Sequence, residues 1–229
     1  MNTEKITTNE ISDRLKAAGN EKNIAGMRRF GIIFEKAFGT PLPVTRLLAK
    51  EIGKNHELAI EFWHNPYHEM KLLATMIADY KKIDSEFMDN WVAQFYSWDI
   101  CDQCCANLFR NNVLAWNKAF EWCKDEREFV KRAGFVLMAQ LCVKDKKADD
   151  KKFEAFFPYL ITGSEDERNM VKKAVNWALR QIGKRNLSLN KKALNTARKI
   201  FEKGNKAARW IAADAIRELE EKQKKMCVD

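Results

Sequence analysis

Hydrophobic positions recur along this chain at helical spacing and are separated by short polar breaks, which predicts about a dozen short α-helices. Glycines, Asn65-Pro66 and a charged run over residues 144–150 mark the breaks. No glycine-serine linker divides the chain, so we expect one continuous domain over residues 1–229, with N-terminal helices in residues 1–45. The predicted helices cover residues 9–18, 21–38, 42–52, 55–63, 66–79, 84–95, 98–110, 113–123, 126–143, 149–160, 165–184, 188–203 and 206–223.

The later helices resemble one another in sequence. Phe129-Val-Lys-Arg-Ala133 matches Met170-Val-Lys-Lys-Ala174, and Trp210-Ile-Ala-Ala213 is a looser third copy. The aligned alanines of the three copies are 41 and 38 residues apart. A period of about 40 residues is typical of HEAT repeats, two-helix units that stack to bury a common core. The chain is therefore predicted to be an all-α, HEAT-like α-solenoid of stacked antiparallel helix pairs.

Composition supports helices and excludes two other classes. With 9 glycines and 4 prolines in 229 residues, frequent hairpin turns are not expected, so a β-sandwich is excluded. No stretch of about 18 apolar residues occurs, which excludes a membrane span. The N-terminal sequence lacks the basic-then-apolar pattern of a signal peptide. We expect a cytoplasmic protein of bacterial type, associated with the nucleoid when it acts.

The positive charge lies in the second half of the chain. Residues 1–125 carry 16 basic and 17 acidic side chains, whereas residues 126–229 carry 25 basic and 15 acidic ones, a net of +10. Such an excess indicates a polyanionic partner. On a solenoid it predicts a concave basic face suited to duplex nucleic acid. A lysine-rich solvated surface is the alternative interpretation.

The cysteines and histidines do not form a recognised metal motif. Cys101, Cys104 and Cys105 lie at i, i+3 and i+4, which places them on one face of a helix. Free cysteines are among the most buried residues, so we interpret this face as core packing, with half a zinc site as the alternative. The three histidines, within residues 56–68, are interpreted as surface or interface residues. No metal or other cofactor is expected.

Two tryptophans share predicted helix faces with charged residues. If a helix begins at residue 98, Trp98 and Asp102 lie one turn apart on one face. Trp177, Arg180 and Lys184 form a second stripe at i, i+3 and i+7. Each stripe also has a structural interpretation. The first is then a core indole with a carboxylate favoured at a helix N-terminus, and the second an indole covered by the alkyl stems of cations.

Three stretches together resemble a known family. SWDICDQ (97–103), FVKRAGFVLMAQL (129–141) and ERNMVKKAVNWALRQIGKRN (167–186) are similar to the AlkD-like DNA glycosylases of alkylation repair. The similarity extends in order and spacing from about residue 25 to the C-terminus. It implies a helical HEAT-like solenoid whose concave basic face holds duplex DNA, and an activity that excises N3- and N7-alkylated purines.

The resemblance also implies a set of functional residues. By motif position, the two tryptophans, aspartate and arginine of the family fall on Trp98, Trp177, Asp102 and Arg132. The resemblance further implies that the family acts at the sugar and backbone without a tight base pocket. The chemistry agrees with this set, because a cationic purine leaves as a neutral base and needs no general acid. The step instead needs a carboxylate that stabilises an oxocarbenium-like sugar, and Asp102 is the candidate.

The sequence therefore predicts a monomeric, metal-free DNA glycosylase that hydrolyses the N-glycosidic bond of alkylated purines in duplex DNA. Its predicted catalytic residues are Asp102, Trp98 and Trp177. Its predicted phosphate contacts are Arg132, Arg180, Lys184, Arg185 and Arg209. Two alternatives remain: a non-catalytic HEAT-type protein that binds duplex or distorted DNA, and a protein scaffold that binds an acidic peptide.

Overall fold

The computed structural model describes residues 7–227, and its regular elements there are helices, so the all-α prediction is confirmed. Residues 1–6 and 228–229, which the predicted domain includes, lie outside the described residues. None of the described helices is long and apolar enough to cross a bilayer. The α-helices are α1 Thr8–Ala18, α2 Glu21–Arg29, α3 Leu42–Ile52, α4 His56–Trp63, α5 His68–Ile77, α6 Ser85–Val92, α7 Trp98–Asn107, α8 Ala115–Trp122, α9 Glu128–Lys144, α10 Asp150–Glu154, α11 Phe157–Gly163, α12 Asn169–Gly183, α13 Leu187–Glu202 and α14 Lys206–Met226.

The helices group into two compact units, each with its own core. Unit 1 contains the chain up to Asp89 together with Gln94–Asn112, and unit 2 contains Asn90–Ala93 and the chain from Val113 onward. In unit 1, α5 packs against α3, α4 and α7. The prediction that the chain is one continuous domain stays a prediction.

The cysteine face of α7 belongs to the core of unit 1. Cys101, Cys104 and Cys105 have no solvent exposure, as the packing interpretation predicted. Burial raises the pKa of the Cys104 and Cys105 thiols well above the ordinary value. Both thiols are therefore protonated at neutral pH and act as small apolar side chains.

Unit 2 is a stack of helix pairs. Helix α8 packs against α9, α11 against α12, and α13 against α14, while α9, α12 and α14 contact one another in series. Gly134 permits a close approach of α9 to the end of α8, because a Cβ there would lie 2.3 Å from the backbone nitrogen of Cys123. The predicted HEAT-like pairing is confirmed.

Polar side chains join each pair to the next. The Arg168 guanidinium donates to the Glu126 carbonyl (2.6 Å), and the Asn176 amide donates to the Asp214 carboxylate (2.7 Å). The partners are 42 and 38 residues apart in sequence, close to the repeat period. Equivalent positions of successive repeats therefore satisfy one another's polar groups.

A repeated Asp-Glu-Arg motif precedes α9 and α12. Asp125 and Asp166 each accept hydrogen bonds from the backbone N–H and the guanidinium of the arginine two residues later. Asp166 also accepts from Lys131 of the preceding repeat (3.2 Å). Burial opposes ionisation of Asp166, but these hydrogen bonds from Arg168 and Lys131 prevail and lower its pKa to about 2.

We expect Asp166→Asn to destabilise the protein by about 1–3 kcal/mol, because it removes charge-assisted hydrogen bonds between two repeats. The folded-state pKa of about 2 lies below the ordinary 3.8, so this stability is present above pH 4 and is lost as the pH falls towards 2. Urea unfolding at pH 7 and pH 3 measures it. Asp125→Asn is the matched control. Its expected effect is smaller, because Asp125 pairs with the exposed Arg127 and is itself more exposed than Asp166. Equal destabilisation by the two variants at pH 7 would contradict the role of Lys131.

The structure corrects one predicted helix substantially. A helix was predicted over residues 21–38, but α2 ends at Arg29, and residues 30–41 form an irregular segment that we call the strap. The backbone N–H groups of the strap residues Phe38, Gly39 and Thr40 donate to the buried carboxylate of Glu69 at 2.8–3.2 Å. These hydrogen bonds take the place of intrahelical ones, and they compensate the cost of burying the Glu69 carboxylate. Gly39, with φ of +75°, makes the turn possible.

A second predicted helix, over residues 149–160, is divided into α10 and α11. Pro158 lies in the first turn of α11, where its missing N–H leaves no hydrogen bond unmade. A continuous helix from Asp150 would need a hydrogen bond from the backbone N–H of residue 158 to the Glu154 carbonyl, which proline cannot donate. The first helix therefore ends before Pro158, and a second helix begins with this proline in its first turn.

Candidate functional site

Helix α7 begins at Trp98, the helix start on which the predicted shared face of Trp98 and Asp102 depends. Trp98 and Asp102 are therefore one helical turn apart, and both side chains are partly exposed. The Trp98 indole N–H donates to the carbonyl of Phe30 in the strap (3.1 Å). One edge of the indole is thus fixed by the backbone while its ring faces a cavity.

Asp99, next to Trp98, is held by a buried polar cluster. Its carboxylate accepts from the Ser97 hydroxyl (2.7 Å) and lies 2.6 Å from Nε2 of His68. His68 Nδ1 lies 3.2 Å from the Tyr96 hydroxyl. Burial and the charge of Asp99 raise the pKa of Tyr96, so its hydroxyl stays protonated. The two ring nitrogens of His68 therefore join the Asp99 carboxylate to the Tyr96 hydroxyl.

A cavity of about 850 Å³ lies in unit 1 beside this cluster. Its walls are α2, the strap and the first turns of α5 and α7. Trp98, Asp99 and Gln103 line it from α7. Asp102 is not among the lining residues, so the two carboxylates of α7 have different surroundings.

His68 corrects the sequence interpretation of the histidines. The sequence predicts a surface or interface residue, but the His68 side chain has no solvent exposure. Its partner Asp99 is 31 residues away in sequence, and its other partner is 28 residues away. Only the packing of α5 against α7 brings these groups together, so no local pattern signals the cluster.

In unit 2, Trp177 lies half-buried on α12, and Arg132 lies on α9, which packs against α12. Arg132 is only 5% exposed, and its guanidinium donates to the Met170 carbonyl (2.6 Å). This bond ties the start of α12 to α9.

Two of the predicted phosphate contacts form an ion-pair cluster. Arg180 in the last turn of α12 and Lys184, which directly follows that helix, both pair with Glu218 of α14. Arg180 also lies 3.6 Å from Asp214. Burial opposes ionisation of Glu218, but its hydrogen bonds with Lys184 and Arg180 prevail and lower its pKa. The charge of Arg180 and Lys184 is therefore partly neutralised within the protein.

The last two predicted contacts differ in accessibility. Arg185 donates to the carbonyl of Cys142 (2.6 Å), and its guanidinium lies 3.9 Å from the ring centre of Phe153. Arg209 is exposed on α14, next to the partly exposed Trp210. The role of all five cations in DNA binding stays a prediction.

Comparisons with known proteins agree with the predicted fold and family. The DNA alkylation repair enzyme family matches residues 11–219 of the chain. A search of curated proteins found no match. One solved structure, described as a new family of proteins related to the HEAT-like repeat DNA glycosylases with affinity for branched DNA structures, has a TM-score of 0.74 and 22% sequence identity. The match covers 85% of this chain and 83% of that chain. The chain belongs to the DNA alkylation repair enzyme family.

Proposed function

We propose that the protein is a DNA glycosylase that hydrolyses the N-glycosidic bond of N3- and N7-alkylated purines in duplex DNA. The observation that carries this proposal is the start of α7 at Trp98, which puts an indole and the Asp102 carboxylate on one accessible face. Membership of the DNA alkylation repair enzyme family supports it.

The reaction uses the positive charge that the lesion already carries. Breaking the bond between C1′ and the purine nitrogen returns the electron pair to the ring, so the base leaves neutral. The sugar then has oxocarbenium character, which the negative charge of Asp102 stabilises. Water adds to C1′, its proton passes to Asp102 or to solvent, and the product is an abasic site.

The other proposed residues position the DNA. The face of an indole attracts a cation by about 0.5–2 kcal/mol, so Trp98 and Trp177 favour a nucleotide with a cationic base. Arg132 has a planar guanidinium suited to a backbone phosphate. Among the five predicted phosphate contacts, Arg209 is the exposed one, so its guanidinium is accessible to a phosphate.

The direct test is release of N7-methylguanine from a methylated duplex by the purified protein, measured by chromatography of the free base. We expect release in single-turnover conditions, with an abasic site left in the strand. Release that persists in a chelator would agree with a reaction that needs no metal. An absence of release of both N7-methylguanine and N3-methyladenine would contradict the proposal.

A second candidate is a non-catalytic protein that binds duplex or distorted DNA. The solved relative with affinity for branched DNA structures supports this candidate. Binding of a branched DNA junction that is tighter than binding of a methylated duplex, without any base release, would establish it instead. The same pair of substrates therefore separates the two functions.

A further inference from the structure

Trp210 of α14 is an exposed tryptophan that the proposed reaction does not use. In the third repeat copy it lies two residues before the aligned alanine, at the position where the two earlier copies have Lys131 and Lys172. Trp210 is 41% exposed. An aromatic side chain therefore replaces a lysine at a repeated position, and much of its ring is accessible to a partner.

Trp210 lies at one end of a row of contacts between α12 and α14. The Lys172 ammonium lies over its ring, 4.9 Å from the ring centre. Two further contacts follow at intervals of four residues along both helices, and the second of them is the ion pair of Arg180 with Glu218. Eight helical residues rise about 12 Å, so Trp210 lies about this far along α14 from Glu218. The row therefore leads from Trp210 to a predicted phosphate contact.

Three cations surround Trp210. Lys206 lies one helical turn before it on the same face of α14, Arg209 is its neighbour in sequence, and Lys172 reaches its ring from α12. Within residues 7–227 none of these three cations forms an ion pair with a carboxylate, in contrast to Arg180. The Trp210 patch, which we define as Lys172, Lys206, Arg209 and Trp210, therefore presents its full positive charge to a partner.

The combination of an indole and unpaired cations indicates the class of partner. A nucleic-acid backbone alternates negatively charged phosphates with sugar rings whose carbon atoms are apolar. Contacts with phosphates and sugars position a protein on a duplex without reading its sequence. An indole between cations matches this alternation of charge and apolar surface, so a DNA backbone suits the patch better than an acidic peptide.

We propose that the Trp210 patch binds the DNA backbone outside the reacting nucleotide, with Trp210 against a deoxyribose and the three cations on neighbouring phosphates. This inference rests on the proposed function, because it takes DNA as the partner. Sugar and phosphate are the same in every nucleotide. The patch therefore increases affinity equally for methylated and unmethylated duplexes.

The first test is equilibrium binding of the full chain to a methylated and an unmethylated duplex. Trp210→Ala is expected to weaken both affinities about fivefold, the effect of leaving roughly 40 Å² of apolar surface in water. Its salt slope should stay unchanged, because no cation has been removed. Trp210→Gln should give the same loss and replaces the alanine variant if that variant does not fold.

Phe201→Ala is the matched control for the tryptophan. Phe201 is an exposed aromatic residue (51%) on α13, which packs against α14, and it is not part of the Trp210 patch. This variant should bind both duplexes as tightly as the wild type. Wild-type affinity in Trp210→Ala, or an equal loss in Phe201→Ala, would overturn the inference.

Lys172→Gln tests the cations separately from the indole. Loss of one phosphate contact should reduce the salt slope by about 0.9 as well as lowering the affinity. Lys191→Gln is the control, because it removes an exposed charge from α13 and should leave the slope unchanged. An unchanged slope in Lys172→Gln would contradict the contact between Lys172 and a phosphate.

The rate of base release at saturating protein separates a backbone contact from a role in the reaction. A contact that is equally strong before and during bond breaking affects binding and not the chemical step. Trp210→Ala should therefore release N7-methylguanine as fast as the wild type once the duplex is fully bound. A slower release at saturation would assign Trp210 to the reacting nucleotide and overturn the inference.

The outcomes also distinguish this inference from the proposed function. If the wild type releases no base but Trp210→Ala weakens duplex binding, the glycosylase assignment fails and the backbone contact stands. If the wild type releases base and Trp210→Ala binds the duplex with full affinity, the assignment stands and the backbone contact fails. Polyglutamate is the probe for an acidic protein partner. Weaker polyglutamate binding with unchanged duplex affinity in Trp210→Ala would assign the patch to such a partner instead.

Discussion

Asp102→Asn is expected to slow single-turnover release of N7-methylguanine by about 10²–10³-fold, or about 2.7–4 kcal/mol, which is the usual effect of removing one well-placed electrostatic group. The substitution keeps the shape of the side chain and removes its charge. The loss should therefore fall on the transition state, in which the sugar is positively charged. Affinity for the same duplex should stay the same or increase, since one negative charge has left a surface that binds phosphates.

Glu86→Gln is the control for this variant, because it removes an exposed charge on α6 and should leave the rate unchanged. Trp98→Ala and Trp177→Ala should lower both affinity and rate, since they remove positioning groups. Arg132→Ala should weaken binding more than the chemical step. An Asp102→Asn variant as fast as the wild type would refute the role assigned to Asp102.

Asp99 is the carboxylate to examine in that event. It lies three residues from Asp102, but Ser97 and His68 hold it against a cavity wall. A group that stabilises C1′ must be within reach of the sugar. Rates and affinities of Asp99→Asn and Asp102→Asn, measured on one duplex, therefore show which carboxylate stabilises C1′.

Local sequence patterns predicted most helices because helix ends carry local signals. Asn20, Asn55, Asn186 and Asn205 each accept a hydrogen bond from a backbone N–H in the first turn of the following helix. The helix predicted over residues 30–38 of the strap is wrong because apolar residues dominate this stretch at spacings compatible with a helix. What determines its conformation is Glu69, which is far along the chain and binds three strap N–H groups. Tertiary contacts override local propensity here.

The candidate site shows the same difference between features that local spacing predicts and features that depend on helix packing. Trp98 and Asp102 are one turn apart in one helix, so their spacing was sufficient to predict a shared face. The contact between His68 and Asp99 depends on α5 packing against α7. The bonds of Arg180 and Lys184 with Glu218 depend in the same way on the stacking of α12 and α14. A single sequence contains the residues of such clusters, but no periodic spacing along it shows that they are in contact.

Affinity for duplex DNA is expected to fall about 10²–10³-fold between about 50 and 200 mM salt. Each phosphate neutralised by a cation releases counterions, with a slope of about −0.9 per contact in a plot of log affinity against log salt. Five full contacts give a limiting slope of about −4.5, and the pairing of Arg180 and Lys184 with Glu218 makes the slope less steep. Fluorescence anisotropy with a labelled duplex measures the slope. A flat salt dependence would contradict binding through the basic residues of the second half of the chain.

The ion pairs of Glu218 lead to a sharper expectation within this salt dependence. Glu218→Gln removes the carboxylate that pairs with Arg180 and Lys184, so Lys184 loses this partner and Arg180 keeps Asp214. Both cations then become more available to phosphates. Since partly exposed ion pairs are worth up to about 1 kcal/mol, affinity for DNA should rise about two- to fivefold, with a steeper salt slope. Glu221→Gln is the matched control on the same helix, because it removes the same charge and the ion pair with Lys225, which is not a predicted phosphate contact. If the two variants have equal affinities and slopes, Arg180 and Lys184 do not contact the DNA backbone.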